Sequence, residues 1–155
     1  MGVTANLYKP DLEAHETALV RAMRRVSEIT GMPIQDTLDE IRLIQAGVQP
    51  VLLESLKHFG FSPSESHWII KPRTLAHRKS RKELLTQEET GRWLRAIKIL
   101  ALAIEVFGNQ DKASEWLHKS RSRFGGHSAL DVMQNEPGAQ LVEETLNQID
   151  SGYFA

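Results

Sequence analysis

The stretch Thr86–Gly108, TQEETGRWLRAIKILALAIEVFG, decides the fold of this chain. Thr86 and Glu89 stand at the spacing of a capping box, in which the threonine hydroxyl accepts from a free first-turn amide and the glutamate reaches back to the cap residue. Downstream, Trp93, Ile97, Leu100, Ile104 and Phe107 recur at steps of three and four, the period of an apolar stripe on an α-helix, and Gly108 suits the left-handed residue that ends it. The spacing predicts one central core helix of roughly 20 residues.

Helix punctuation continues in both directions. Upstream, Asp11 is a candidate cap for a helix with Leu12, His15, Leu19, Ala22 and Val26 on its inner face, ended by Gly31. Pro33 suits a first turn, with Ile34, Leu38 and Ile41 as the next stripe up to Gly47. Pro50 opens a third helix with Leu53 and Leu56, ended by Gly60, and Ser62 is placed to cap a helix over Pro63–Ile70. Pro72 disfavours helical geometry at Lys71 and restarts a helix after it. Downstream, Asn109 caps a short helix carrying Trp116 and Leu117, Gly125-Gly126 makes a turn, and Ser128 caps Ala129–Met133. A last helix opens at Pro137 with Val142, Leu146 and Ile149 inward, and ends at Gly152. No window shows the sustained period-two alternation of a strand, so the reading is all-α.

Composition narrows the function classes. With 41% hydrophobic and 25% charged residues over 155 positions, the chain has the makings of one ordinary core or two small ones, and extended disorder is not expected. The longest apolar run, Ile97–Phe107, is interrupted by Lys98 and Glu105 and falls short of the ~20 residues of a membrane span. The opening MGVTANLYKPDLEAHE has no basic segment followed by an apolar one, so a cytoplasmic protein is expected. Without cysteine, disulfides, thiolate metal sites and cysteine nucleophiles are excluded.

Charge is uneven along the chain. Residues 1–46 carry a net −2, residues 47–98 a net +5 and residues 99–155 a net −4. A basic middle between acidic flanks suggests that only the middle meets a polyanion. Its centre, Lys71–Lys82, holds six Lys/Arg and no acid, on a helix reached by a tight turn from another short helix. That is the pattern of a helix-turn-helix. Leu56, Phe59, Trp68, Ile69 and Leu75 would anchor it, leaving Arg73, Thr74, His77, Arg78 and Arg81 to face a major groove and Lys79 and Lys82 to neutralise phosphates. A merely solvated basic helix would carry the same charges.

Other clusters offer little chemistry. No two of the six histidines stand three or four apart on one expected helix, so a metal site is not supported. Phe124-Gly125-Gly126-His127 lacks the Gly-Lys-Ser/Thr of a phosphate loop and reads as a turn. Glu88-Glu89 and Glu143-Glu144 read as solvated helix surface, since adjacent helical residues do not face each other. Trp68, Trp93 and Trp116 fall on apolar faces and read as core. The apolar end Gly152-Tyr153-Phe154-Ala155 either folds back or meets a partner.

Three blocks match a known pattern. Ala103-x-x-Val106-Phe107-Gly108-Asn109-x-x-Lys112-Ala113-x-x-Trp116-Leu117, Phe124-Gly125-Gly126-x-x-Ala129-Leu130-Asp131-Val132-Met133, and Glu136-x-Gly138-Ala139-x-x-Val142 through Leu146, Ile149 and Gly152 resemble the C-terminal domain of the Xre/MbcA/ParS antitoxins. Phe59-Gly60-Phe61-Ser62, Arg73-Thr74-Leu75-x-x-Arg78 and Leu85-x-x-Glu88-x-x-x-Arg92 resemble their Xre-like helix-turn-helix half. Ser120 and Ala129 stand where family members usually have proline, which puts the local turn shapes in question.

The resemblance implies a division into a helical N-terminal extension (residues 1–46), a DNA-binding domain (47–98) and a toxin-binding domain (99–155). It implies a non-catalytic, cofactor-free antitoxin that forms a homodimer. Its toxin would be a RES-domain enzyme with an ADP-ribosyltransferase-like fold that depletes NAD, and its DNA the promoter of its own operon. Carried over, toxin contact falls on Arg121, Arg123, Gly125, Gly126, Ile149, Gly152, Tyr153 and Phe154. The alternative is a stand-alone regulator whose C-terminal helices only dimerise it, and an adjacent gene for a RES-like protein would separate the two.

Overall fold

A computed structural model describes residues 16–153. The α-helices are α1 (Ala18–Thr30), α2 (Thr37–Ala46), α3 (Pro72–Arg81), α4 (Gln87–Phe107), α5 (Gln110–His118), α6 (Ala129–Val132) and α7 (Glu136–Asp150). Tighter 3₁₀ turns span Pro50–Phe59, Pro63–Ser66 and Ser122–Phe124. The described residues contain no strand, and the fold is all-α.

The expected central helix forms as read. Thr86 Oγ1 accepts from the Glu89 amide at 3.1 Å, the Glu89 carboxylate accepts from the Thr86 amide at 2.9 Å, and Gly108 closes α4 in the left-handed conformation. Around α4 pack α1, α2, α5, α7 and the Pro50–Phe59 segment. Trp93, Ile97 and Leu100 are buried on it, and the Trp93 indole donates to Leu52 O at 3.1 Å. The buried cluster takes side chains from the described parts of all three expected divisions, from Ala18 to Leu146, and the junction at residues 98 and 99 falls inside α4.

Four local expectations change. The cap position Asp11, with Leu12 and His15, lies outside the described residues, and α1 begins at Ala18 with Thr17 as its cap. Pro33 does not open α2. That helix starts at Thr37 because Asp36 accepts from the Asp39 amide, and this register turns Leu38 and Ile41 to solvent while Leu43 goes inward. Pro50–Phe59 forms, but with the tighter 3₁₀ pitch. Ser62 opens only Pro63–Ser66 before the chain breaks into turns. The Glu65 carboxylate satisfies the Ser62 amide at 3.0 Å, and the extended Lys71 forced by Pro72 prevents the helix from running on.

At the far end, Asn109, Ser128 and Asn135 cap α5, α6 and α7 through first-turn amides. Gly138 has a packing reason that the helical pattern hides. A Cβ there would lie 1.7 Å from the carbonyl oxygen of Val132, so α6 and α7 approach each other through a missing side chain.

Candidate functional site

Two surfaces carry the residues singled out above. The first is α3, which starts at Pro72, rests against the Pro50–Phe59 segment and ends at Lys82 in the left-handed conformation. Arg73, His77, Arg81 and Lys82 are exposed, and none makes an ion pair among the described residues; Thr74 is half-buried. The α3 face is therefore an unneutralised basic strip, but a narrower one than its composition suggests.

Arg78 is the correction here, because it does not point outward. Its Nε lies 3.1 Å from Glu89 and an Nη lies 3.0 Å from Glu83, with about a fifth of the side chain exposed. Glu89, in turn, is buried at 6% exposure rather than solvated. Burial pushes its carboxyl up, but the Thr86 amide and the Arg78 guanidinium outweigh that and hold it below the usual carboxylate range. The same pairing raises Arg78 further, through Glu89 first and Glu83 second. One carboxylate thus caps α4 and fastens α3 to it. Lys79 faces Glu54 at 3.5 Å, in a weaker and more exposed contact.

The second surface lies at the opposite end of α4. After α5 the chain turns through Ser122–Phe124, and consecutive left-handed glycines, Gly125 and Gly126, reverse it. The Arg121 amide donates to His127 O at 3.1 Å and the Gly126 amide donates to Arg121 O at 2.9 Å, which closes the loop on itself. Side chains from this loop meet α5 and α7 around a groove of ≈ 440 Å³ lined by Trp116, Ser120, Arg121, Ser122, Arg123, Thr145 and Ile149.

The carried-over residues are not all brought to this groove. The Arg121 guanidinium lies 4.9 Å from the centre of the Trp116 ring, and its buried Nε makes no hydrogen bond. Arg123 donates to Thr145 Oγ1 at 2.8 Å and to Gln148 Oε1 at 2.7 Å. Ile149 is half-buried at the edge of the groove. Gly125 and Gly126 act through the backbone, setting the loop rather than lining the groove. Gly152 is left-handed, and Tyr153, 81% exposed, follows it with its amide bonded to Gln148 O. Phe154 lies outside the described residues.

Sequence reasoning missed three parts of this surface. Trp116 reads as core and is buried, held by Phe107 at 5.6 Å and Phe124 at 5.9 Å, yet its ring also seats Arg121. Ser122 and Thr145 come to the groove from separate elements, so no local period announces them. Trp93 and the half-buried Trp68 pack as expected. Among the described residues no group of His, Asp and Glu is placed to hold a metal, and no helix is long and apolar enough to cross a membrane.

Residues 102–152, which contain this entire groove, match the family described as the antitoxin Xre/MbcA/ParS C-terminal toxin-binding domain. Two relatives share longer stretches. A protein named Antitoxin Xre from Pseudomonas putida is 40% identical over 92 residues, covering 59% of this chain and 58% of that protein. A second Antitoxin Xre, from Yersinia enterocolitica, is 26% identical over 87 residues, covering 56% and 59%. The matched part spans less than two thirds of either relative. The C-terminal region of this chain, residues 102–152, is thus similar to the toxin-binding domain of the Xre/MbcA/ParS antitoxins.

Proposed function

We propose that this chain is the antitoxin of a type II toxin–antitoxin pair, neutralising a RES-domain, NAD-depleting toxin by covering its active site. The observation that carries the reading is the coincidence of the 102–152 family match with the Trp116–Arg121–Ile149 groove. Steric occlusion by a standard interface of ~1,600 Å² would need only a rigid, shaped surface and a few buried anchors, with no catalytic group. The loop at Gly125 and Gly126 is closed by its own backbone hydrogen bonds, which supports such a surface.

The other half of the proposal is autorepression. Arg73, Thr74, His77, Arg81 and Lys82 would enter the major groove of promoter DNA, with Lys79 near a phosphate and Arg78 holding the helix from behind. A homodimer would present two such helices to half-sites about 34 Å apart. In this reading residues 47–98 serve the DNA and residues 99–155 the toxin, while α1 and α2 pack on α4.

The test is co-expression with the product of the adjacent gene, reading survival and NAD level, together with binding to the upstream promoter fragment. Rescue with preserved NAD and salt-dependent promoter binding are expected. A neighbouring product that is harmless alone would overturn the antitoxin reading and leave the DNA-binding regulator.

A further inference from the structure

We propose that the groove beside Trp116 is a receptor for one carboxylate side chain of the bound toxin, with Arg121 as its ligand. This rests on the toxin-binding reading above and names the chemistry that the partner must bring. Among the described residues, Arg121 Nε is the buried side-chain donor left without an acceptor. The terminal nitrogens of Arg121 make no hydrogen bond among the described residues either. A guanidinium in that state is incomplete, because a buried N–H without a partner is disfavoured, and its terminal nitrogens are left to receive an acceptor.

The arginine is also held ready. The Trp116 ring lies under it at 4.9 Å, Phe107 and Phe124 fix that ring, and the backbone of Arg121 is pinned to Gly126 and His127. A fixed planar fork matches the two oxygens of a carboxylate, which accept two parallel N–H bonds. Ser120 and Ser122 stand at the rim of the same groove.

Charge selects a protein acid over a nucleic acid. Residues 99–155 carry a net −4, which repels a phosphate backbone but leaves room for one aspartate or glutamate projecting from an otherwise neutral or basic surface. Arg73 and Arg81 also lack an ion pair among the described residues, but they are exposed to water on α3, and a buried guanidinium nitrogen without a partner is found at Arg121 instead. Arg21, Arg25, Arg78 and Arg95 already face carboxylates of this chain, and Arg92 donates to Ile69 O.

The experiment titrates the full-length chain with the toxin at two salt concentrations, using Arg121→Gln, Arg121→Lys and the control Lys112→Ala. We expect Arg121→Gln to weaken binding ~10- to 100-fold and flatten the salt dependence. Arg121→Lys should weaken it about tenfold, because an ammonium cannot present two parallel donors. Lys112→Ala should stay within about twofold, and melting temperatures report whether each variant is folded. One Asp or Glu of the toxin, changed to its amide, should reproduce the Arg121→Gln loss without adding to it.

If both Arg121 variants bind within twofold of the wild type, the carboxylate receptor is overturned and the toxin-binding reading stands. If no single toxin carboxylate reproduces the loss, a protein acid is not the ligand. If the wild-type chain itself does not bind the toxin, the underlying reading fails first.

Discussion

The α3 face and the Arg121 loop are both basic, but they hold their charge differently. On α3, Arg78 is tied to Glu83 and Glu89 and Lys79 faces Glu54, so part of the positive charge is spent inside the molecule on fixing the helix. In the C-terminal loop, Arg121 sits on an aromatic ring and faces no acid among the described residues. Arg73 and Arg81 on α3 also lack an ion pair among the described residues, but they are exposed, whereas the unpaired Nε of Arg121 is buried. Counting Lys and Arg finds the basic helix, whereas counting acceptors around buried nitrogens finds Arg121.

The sharpest way to break this contrast is to remove the ring under Arg121. Trp116→Ala is expected to cost about 3 kcal/mol or more, since it empties a site packed by Phe107 and Phe124, and to abolish toxin binding. Calorimetry and a toxin titration check both effects. Gly138→Ala should come next, at about 2 kcal/mol, because its Cβ collides with Val132 O and drives α6 from α7. An unchanged melting temperature would contradict that close approach.

Thr86→Ala acts on the other region. Loss of its cap should cost about 1 kcal/mol and loosen the Glu89 end of the clamp on α3, lowering promoter affinity as well as melting temperature.

Acid tests the same clamp. Glu89 is held low against its burial by Thr86 and Arg78, and Glu105 likewise by Arg25 and Arg21. A carboxyl depressed in the folded state contributes stability above its unfolded value near 4.5, and that contribution is lost as pH falls through the lower folded value. Melting temperature should therefore fall in acid below about pH 4.5, and less steeply in Glu89→Gln and Glu105→Gln variants.

The smallest effect in energy is the most specific. Arg73→Ala with Arg81→Ala should lower the salt slope of promoter binding by about 2, and Arg78→Ala should leave that slope unchanged while lowering the melting temperature.

Much of the fold was legible because its signals are local. The box at Thr86, the glycines at Gly31, Gly60 and Gly108, and the caps Asn109 and Ser128 act within four residues of themselves, and the structure keeps them. The losses occurred where distant elements decide. Leu38 and Ile41 follow a helical stripe yet face solvent, because Asp36 rather than Pro33 sets the register of α2. Glu89 looks like surface until Arg78 arrives from another helix, and Gly138 looks like a weak helix residue until Val132 is placed against it. At the candidate site the loop was legible as a double-glycine turn, but the pairing of Arg121 with Trp116 spans two elements and has no spacing to announce it.

The most direct test sets the two regions against each other in one cell. Since α4 runs through the junction at residues 98 and 99, point variants of the whole chain are the proper tools. The toxin is co-expressed with the wild type, with Arg73→Ala/Arg81→Ala, or with Arg121→Gln, and survival and NAD level are followed. The account predicts protection by the wild type and by the α3 double variant, and failing protection by Arg121→Gln. Full protection by Arg121→Gln, with loss of protection in the α3 variant at equal protein levels, would contradict it.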